Sequence, residues 1–322
     1  MELNDFLAEW HNDNPRILVH TSGSTGKPKP LMVEKRRMLN SARITCDFLG
    51  LKPGDTALLC MPLDYIAGKM MVVRSLQRDL RLTSVRPSSH PLADDALPSF
   101  TFAAMVPMQV YNSLKVPCER ERLMRIRHLI IGGGAISDEL AQMIKPLPNA
   151  VWSTYGMTET LSHIALRRLN GPDASLWYTP FDGVGISLNA DGCLVIDAPE
   201  VCAEPLVTND IAQLRTDDRT GKTLFRIKGR KDNVVCSGGI KIQIEEVEET
   251  LRPHLSAPFM IVKKQDEMLG EKAILLTESA DLTHIEEICR NTLPKYWVPR
   301  EFLHIDHLPL TETGKPKRSG AF

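Results

Sequence analysis

Arg16-Ile17-Leu18-Val19-His20-Thr21-Ser22-Gly23-Ser24-Thr25-Gly26-Lys27-Pro28-Lys29 is the stretch on which the reading of this chain turns. The apolar run Ile17, Leu18, Val19 after Pro15 predicts a short strand over 16–20. That strand feeds a loop of glycine, serine, threonine and lysine. Such a loop surrounds phosphate oxygens with backbone N–H groups, hydroxyls and ammonium groups, so a triphosphate is its natural ligand. It is not a Walker A loop, because G-x-x-x-x-G-K-[ST] anchored on Gly26-Lys27 needs Gly at Thr21 and Ser or Thr at Pro28. Ser24-x-x-Lys27 matches the nucleophile motif of penicillin-binding enzymes, but no Ser-Asp-Asn or Lys-Thr-Gly partner accompanies it. The plain alternative is a solvated Ser/Thr/Gly surface loop.

Outward from the loop, the pattern predicts a helix over 32–49 stopped at Gly50, a buried strand over 56–61 and a helix over 70–80. Residues 86–99, with Pro87, Pro91 and Pro98, read as a surface connection. A strand over 127–131 ends in Gly132-Gly133-Gly134, and a helix restarts over 138–144. A dinucleotide fingerprint would need Gly where Ser137 stands, so Gly133 and Gly134 read as backbone that approaches a flat ligand closely. This alternation predicts an α/β layer structure. From 184 onward, short strands and turns such as Ala190-Asp191-Gly192 predict a β-rich part. After Gly229-Arg230, alternating Ile240, Ile242 and Ile244 precede an expected helix over 245–251, strands over 259–262 and 273–277, and a helix over 281–293. The expected architecture is a large α/β N-terminal domain over 1–228, β-rich over about 184–228, plus a small α+β C-terminal domain over 229–322.

Composition narrows the function classes. Lys plus Arg total 39 against 40 Asp plus Glu, so no global charge calls for nucleic acid or an anionic membrane. Seven cysteines without a C-x-x-C argue against a disulfide framework or a thiolate zinc site and fit a reducing cytoplasm. Residues 1–20 are polar and acidic, and no apolar run approaches about 18 residues, so neither a leader nor a membrane span is expected. Thr-Gly-Lys-Pro-Lys occurs at 25–29 and again at 313–317, which is no structural repeat.

Four motifs in order carry a resemblance: Thr21 to Lys29, Tyr155-Gly156-Met157-Thr158-Glu159, Gly229-Arg230-Lys231-Asp232 and Thr313-Gly314-Lys315. The chain resembles the acyl-adenylate-forming ligases, the superfamily of acyl-CoA synthetases, luciferases and peptide-synthetase adenylation domains. The resemblance implies a two-step reaction: a carboxylate attacks the α-phosphate of Mg²⁺-bound ATP, and the thiol of CoA then displaces AMP. It implies that Thr21, Ser22, Gly23, Ser24, Thr25, Gly26 and Lys27 cradle the phosphates, with Ser22, Thr25 and Lys27 on the β- and γ-phosphates. Tyr155 beside Gly156 would stack on adenine, Thr158 would bind the α-phosphate, and Glu159 would hold Mg²⁺. Asp210 and Arg230 would grip the ribose, although Asn209 stands where the family usually has Gly. Lys315 would reach the α-phosphate and the carboxylate, Asp232 would be the hinge, and the Gly238-Gly239 loop would serve the CoA step. Family members normally carry well over a hundred residues before the phosphate loop, which here starts at Thr21. The resemblance therefore implies a substrate channel that is more open or is closed by another subunit, as in a homo-oligomer.

Met61-Pro62-Leu63-Asp64-Tyr65-Ile66-Ala67-Gly68-Lys69 resembles the corresponding segment of o-succinylbenzoate-CoA ligases of menaquinone biosynthesis. Tyr65 stands at that family's His position, and Arg74, six residues after Gly68, matches its Arg. A helix carrying Lys69 and Arg74 among Met70, Met71 and Val73 would suit an aromatic acid with a second carboxylate. The bland alternative is a basic helix face in water. The expected activity is an acid-CoA ligase for o-succinylbenzoate; the alternatives are a ligase for another aryl or short-chain acid, or a catalytically silent nucleotide- or partner-binding protein.

Overall fold

The computed structural model describes residues 1–20, 30–134, 136–310 and 317–318. The chain divides into two compact units, one comprising Met1–Ile186, Ile196–Leu206 and Arg215–Phe225, the other Ser187–Val195, Val207–Leu214 and Arg226–Phe322.

In the first unit, five strands run parallel among the described residues. Their order is Arg81–Ser84, Thr56–Leu59, Phe102–Met105, His128–Ile131, Ala150–Gly156. His163–Arg168 and Thr179–Pro180 extend the sheet antiparallel. The central strands are apolar throughout rather than alternating: Ala57 to Leu59, Phe102 to Met105 and Leu129 to Ile131 are all buried. That is the pattern of a parallel sheet covered on both faces. Strand order reverses at Thr56–Leu59, with one crossover going to Arg81–Ser84 and later chain building out through Phe102–Met105 on the other side. In open α/β sheets, ligands bind outside the carboxyl ends of the strands at such a switch point.

Arg16–His20 is a strand, as its apolar run predicts, and it pairs antiparallel with Pro30–Glu34 from Arg16 opposite Glu34 to His20 opposite Pro30. The helix expected over 32–49 is therefore corrected to Lys35–Leu49. Met32, Val33 and Glu34 complete a backbone ladder with the first strand, and that pairing overrides their helical reading. Likewise the helix expected over 70–80 is Ile66–Arg78, closed by Asp79 in the left-handed region at φ 52°.

In the second unit, Ile240–Gln243, Val234–Ser237, Gly270–Thr277 and Phe259–Asp266 form a sheet, with Glu301–His304 parallel to Gly270–Thr277. Alternation sorts its residues by face. Ile261, Ala273 and Leu275 pack with Val247, Leu251 and Cys289 of the helices Ile244–Leu251 and Leu282–Thr292, while Met260, Val262, Ile274 and Leu276 face Leu303 and Ile305. Between these sheets in sequence, Gly185–Leu188, Cys193–Asp197, Leu206–Thr216 and Thr223–Arg230 pair in that order, which is the β-rich part expected from 184 onward. No helix among the described residues is long and apolar enough to cross a membrane.

Candidate active site

Three of the sequence motifs leave the parallel sheet at its carboxyl edge. Met61 to Lys69 follows Thr56–Leu59, Gly132 to Gly134 follows His128–Ile131, and Tyr155 to Glu159 closes Ala150–Gly156. The phosphate-loop residues Thr21, Ser22, Gly23, Ser24, Thr25, Gly26 and Lys27 lie outside the described residues, between the paired ends His20 and Pro30. Lys315 also lies outside them.

The turn after Tyr155 is tightly built. Register slips between Tyr155 and Gly156, so that Tyr155 faces Ala165 and Gly156 faces His163, with Ile164 as the extra residue of a bulge. A Cβ on Gly156 would lie 2.2 Å from the Ser162 carbonyl oxygen and 2.4 Å from the His163 Cα, so only glycine fits. Gly156→Ala is expected to cost about 1–3 kcal/mol by overpacking against backbone. Denaturant unfolding checks this, and an unshifted midpoint would contradict it. Beyond it, Thr158–Thr160 is a 3-10 turn, and Leu161 follows in the left-handed region at φ 64°. Strain of this kind persists only where its surroundings enforce it. Here the Thr160 hydroxyl accepts from the Met157 amide at 3.0 Å and donates to the Ser162 carbonyl at 2.6 Å.

Thr158 is buried in this turn, and Glu159 is exposed and forms no ion pair among the described residues. One free carboxylate is what Mg²⁺ needs when phosphate oxygens and water supply its other ligands, so Glu159 fits a nucleotide-borne metal. Tyr155 is half-buried in an aromatic cluster, its ring centroid 5.0 Å from Phe225 and 5.8 Å from Tyr178.

Lys69 and Arg74 are both buried, 3% and 2% exposed, which removes the solvated-face alternative. Lys69 ties the helix to the first strand: its Nζ donates to the Leu18 carbonyl at 2.8 Å and lies 5.7 Å from the Phe6 ring centre. Burial lowers its pKa, with Glu9 and Asp64 opposing. Tyr65 is the partly exposed residue preceding the helix.

Arg74 is different. Its guanidinium donates to Ser162 Oγ at 2.6 Å and reaches Met71 Sδ at 3.9 Å, while its buried Nε has no partner among the described residues. Among the described residues no carboxylate pairs with it. Burial brings its pKa down to about 10, with the Cys46 thiol opposing. A buried cation without an anion is costly. Sequence reasoning missed Ser162 and its neighbour His163, although they lie three and four residues beyond the Tyr155–Glu159 motif.

In the second unit, Arg230 donates to Asp210 at 3.2 Å and to Asp232 at 2.8 Å, and Asn209 reaches Asp232 at 3.4 Å. The expected ribose ligands and hinge residue thus form one cluster. Gly238 and Gly239, at φ 57° and 83°, form the two-residue turn joining Val234–Ser237 to Ile240–Gln243. A turn of that kind takes positive φ at both central residues, which explains the glycine pair.

Residues 4–203 match the family described as AMP-binding enzyme. A 2-succinylbenzoate–CoA ligase of Bacillus mycoides (strain KBAB4) is 25% identical over 334 residues, covering 95% of this chain and 69% of that protein. An acyl-CoA synthetase (AMP-forming)/AMP-acid ligase II-like protein of Dyadobacter fermentans DSM 18053 is similar in structure, with 33% identity, TM-score 0.68, and 98% of this chain and 91% of that one covered. The o-succinylbenzoate coenzyme A synthetase of Bacillus subtilis, solved with ATP and magnesium ion, shares the fold at 23% identity and TM-score 0.74, over 94% of this chain and 69% of that one. The geometry of the Tyr155–Glu159 turn at the sheet's carboxyl edge and the match over residues 4–203 lead to one assignment: this chain belongs to the AMP-binding enzyme family, the acyl-adenylate-forming ligases.

Proposed function

We propose that this protein is an AMP-forming acid-CoA ligase whose acid is a dicarboxylic aryl acid, o-succinylbenzoate being the best fit. The observation that carries this reading is Arg74: a buried guanidinium, without a carboxylate partner among the described residues, bonded to the loop that follows the adenylate motif. A second carboxylate on the acid would supply the missing anion. The named relatives that act on o-succinylbenzoate support the same choice.

In the first step a carboxylate oxygen bonds to the α-phosphorus as the bond to the β-phosphate oxygen breaks and pyrophosphate leaves. In the second, the CoA sulfur bonds to the acyl carbon, the acyl–oxygen bond breaks and AMP leaves. Neither step needs a side-chain nucleophile. The difficulty is bringing one anion to another in line, so the chain contributes positioning and neutralisation. In this reading Ser22, Thr25 and Lys27 hold the outer phosphates, Tyr155 packs on adenine, Thr158 meets the α-phosphate, and Asp210 with Arg230 takes the ribose. Glu159 would hold Mg²⁺, which would offset phosphate charge. Lys315 bridges α-phosphate and carboxylate, Asp232 is the hinge, and Gly238-Gly239 lines the CoA step. A cytoplasmic setting supplies ATP and CoA.

Pyrophosphate release across a panel of aryl, dicarboxylic and short-chain acids, with and without CoA, tests the reading. Release with o-succinylbenzoate well above the monocarboxylic aryl acids is expected. Preference for a short-chain monoacid would replace the substrate, and silence with every acid would favour a binding protein.

A further inference from the structure

Arg74 stands at one end of a buried chain of hydrogen bonds whose direction can be worked out. Thr45 Oγ1 donates to the Ser41 carbonyl at 3.0 Å within the helix Lys35–Leu49. With its one proton on that carbonyl, it accepts from His163 Nε2, 3.1 Å away. His163 is buried, and burial, reinforced by the charge of Arg74, holds its pKa well below the ordinary imidazole value. The ring is therefore neutral, with its proton on Nε2 and a lone pair on Nδ1. Ser162 Oγ, 3.1 Å from Nδ1, donates there and accepts from Arg74 at 2.6 Å. With this tautomer the bonds run one way: Arg74 to Ser162 to His163 to Thr45 to the Ser41 carbonyl.

A protonated His163 would reverse the middle of this chain. Both ring nitrogens would donate, Ser162 would receive from two cations, and its own proton would have to turn away from the ring. The neutral ring is thus what lets Ser162 offer its oxygen wholly to Arg74.

We propose that Ser162, oriented by His163 and Thr45, is the positioning residue that holds the Arg74 guanidinium ready for a carboxylate of the acid substrate. The proposal rests on the reading of Arg74 above. Charge-assisted bonds of this kind fix a side chain more firmly than neutral ones, and the buried Nε stays without a partner among the described residues. Chain members come from the helix Lys35–Leu49, the helix Ile66–Arg78 and the loop before His163–Arg168, so the guanidinium is held by elements far apart in sequence.

The test uses the full chain and steady-state kinetics with a dicarboxylic aryl acid, its counterpart lacking the distal carboxylate, and ATP. Ser162→Ala is expected to raise KM for the diacid roughly tenfold or more, the effect of losing a hydrogen bond to a charged group, while KM for the monoacid and for ATP stays within about twofold. Ser162→Thr, which keeps the hydroxyl, should restore the diacid KM to within about threefold of wild type. An equal rise for diacid and monoacid overturns the proposal, as does a failed rescue. If Arg74→Leu discriminates between the acids and Ser162→Ala does not, this proposal falls and the acid reading stands; if Arg74→Leu does not discriminate, both fall. Nitrogen-15 NMR of His163 in the wild-type protein needs no variant. A neutral Nε2–H ring across pH 6 to 8 is expected, and an Nδ1–H tautomer or a ring that charges in that range overturns the proposal.

Discussion

Lys315→Ala should abolish pyrophosphate release from acid and ATP, a loss on the order of 100-fold or more for removing a group that neutralises the transition state. It should leave the conversion of supplied acyl-adenylate and CoA to thioester nearly intact. The asymmetry follows from the two steps. Only in the first do a carboxylate and a triphosphate meet, and only there does a cation on the α-phosphate lower the barrier. Lys315 itself lies outside the described residues, but the chain on either side of its segment is anchored within the second unit. The Lys317 amide donates to the Pro309 carbonyl at 2.8 Å. Arg318 grips Glu248 with two bonds, of 2.7 and 2.8 Å, and adds a third to the Ile261 carbonyl. Asp232→Pro should split the halves in the opposite sense, slowing thioester formation more than adenylation, because proline holds φ near about −65° at the proposed hinge. Rapid-quench assays of the separate half-reactions read both variants. Equal loss of both halves in Lys315→Ala would sink its assignment.

Arg74→Leu should lower kcat/KM for o-succinylbenzoate by roughly 30-fold or more, from the cost of about 2–5 kcal/mol for leaving one member of a buried charge pair alone. An analogue with a neutral group in place of the distal carboxylate should lose far less. ATP binding should barely change, because the phosphate loop follows the strand Arg16–His20 and Arg74 belongs to the helix Ile66–Arg78. Leucine also removes a buried charge that has no carboxylate partner among the described residues, so the variant should be no less stable to denaturant, and comparing the two acids isolates recognition from folding. An equal penalty on both acids would make Arg74 a packing residue and return the substrate to an unspecified aryl acid.

Much of the fold was legible because its elements are local. The strand Arg16–His20, the helix Asp138–Ile144 and the change to short strands near 184 follow from apolar runs, glycine breaks and turn residues. The strand Pro30–Glu34 was not, since its pairing with Arg16–His20 is a tertiary fact that the basic residues after it conceal. The same division holds at the site. The resemblance carried by the ordered motifs singled out Tyr155 to Glu159, and the likeness of the Met61–Lys69 segment singled out Arg74. Thr45 and His163 lie 118 residues apart and join only through a hydrogen bond, which no spacing could announce. Gly238 and Gly239 show the reverse case, a motif whose residue types a hairpin turn already requires.

Oxygen-18 in the acid's carboxylate, followed through complete turnover with ATP and CoA, tests the central claim most directly. If the carboxylate attacks the α-phosphorus and CoA then displaces AMP, one labelled oxygen leaves on AMP and none on pyrophosphate. Label in inorganic phosphate with ADP formed, or thioester made without label in any nucleotide, would contradict an acyl-adenylate route.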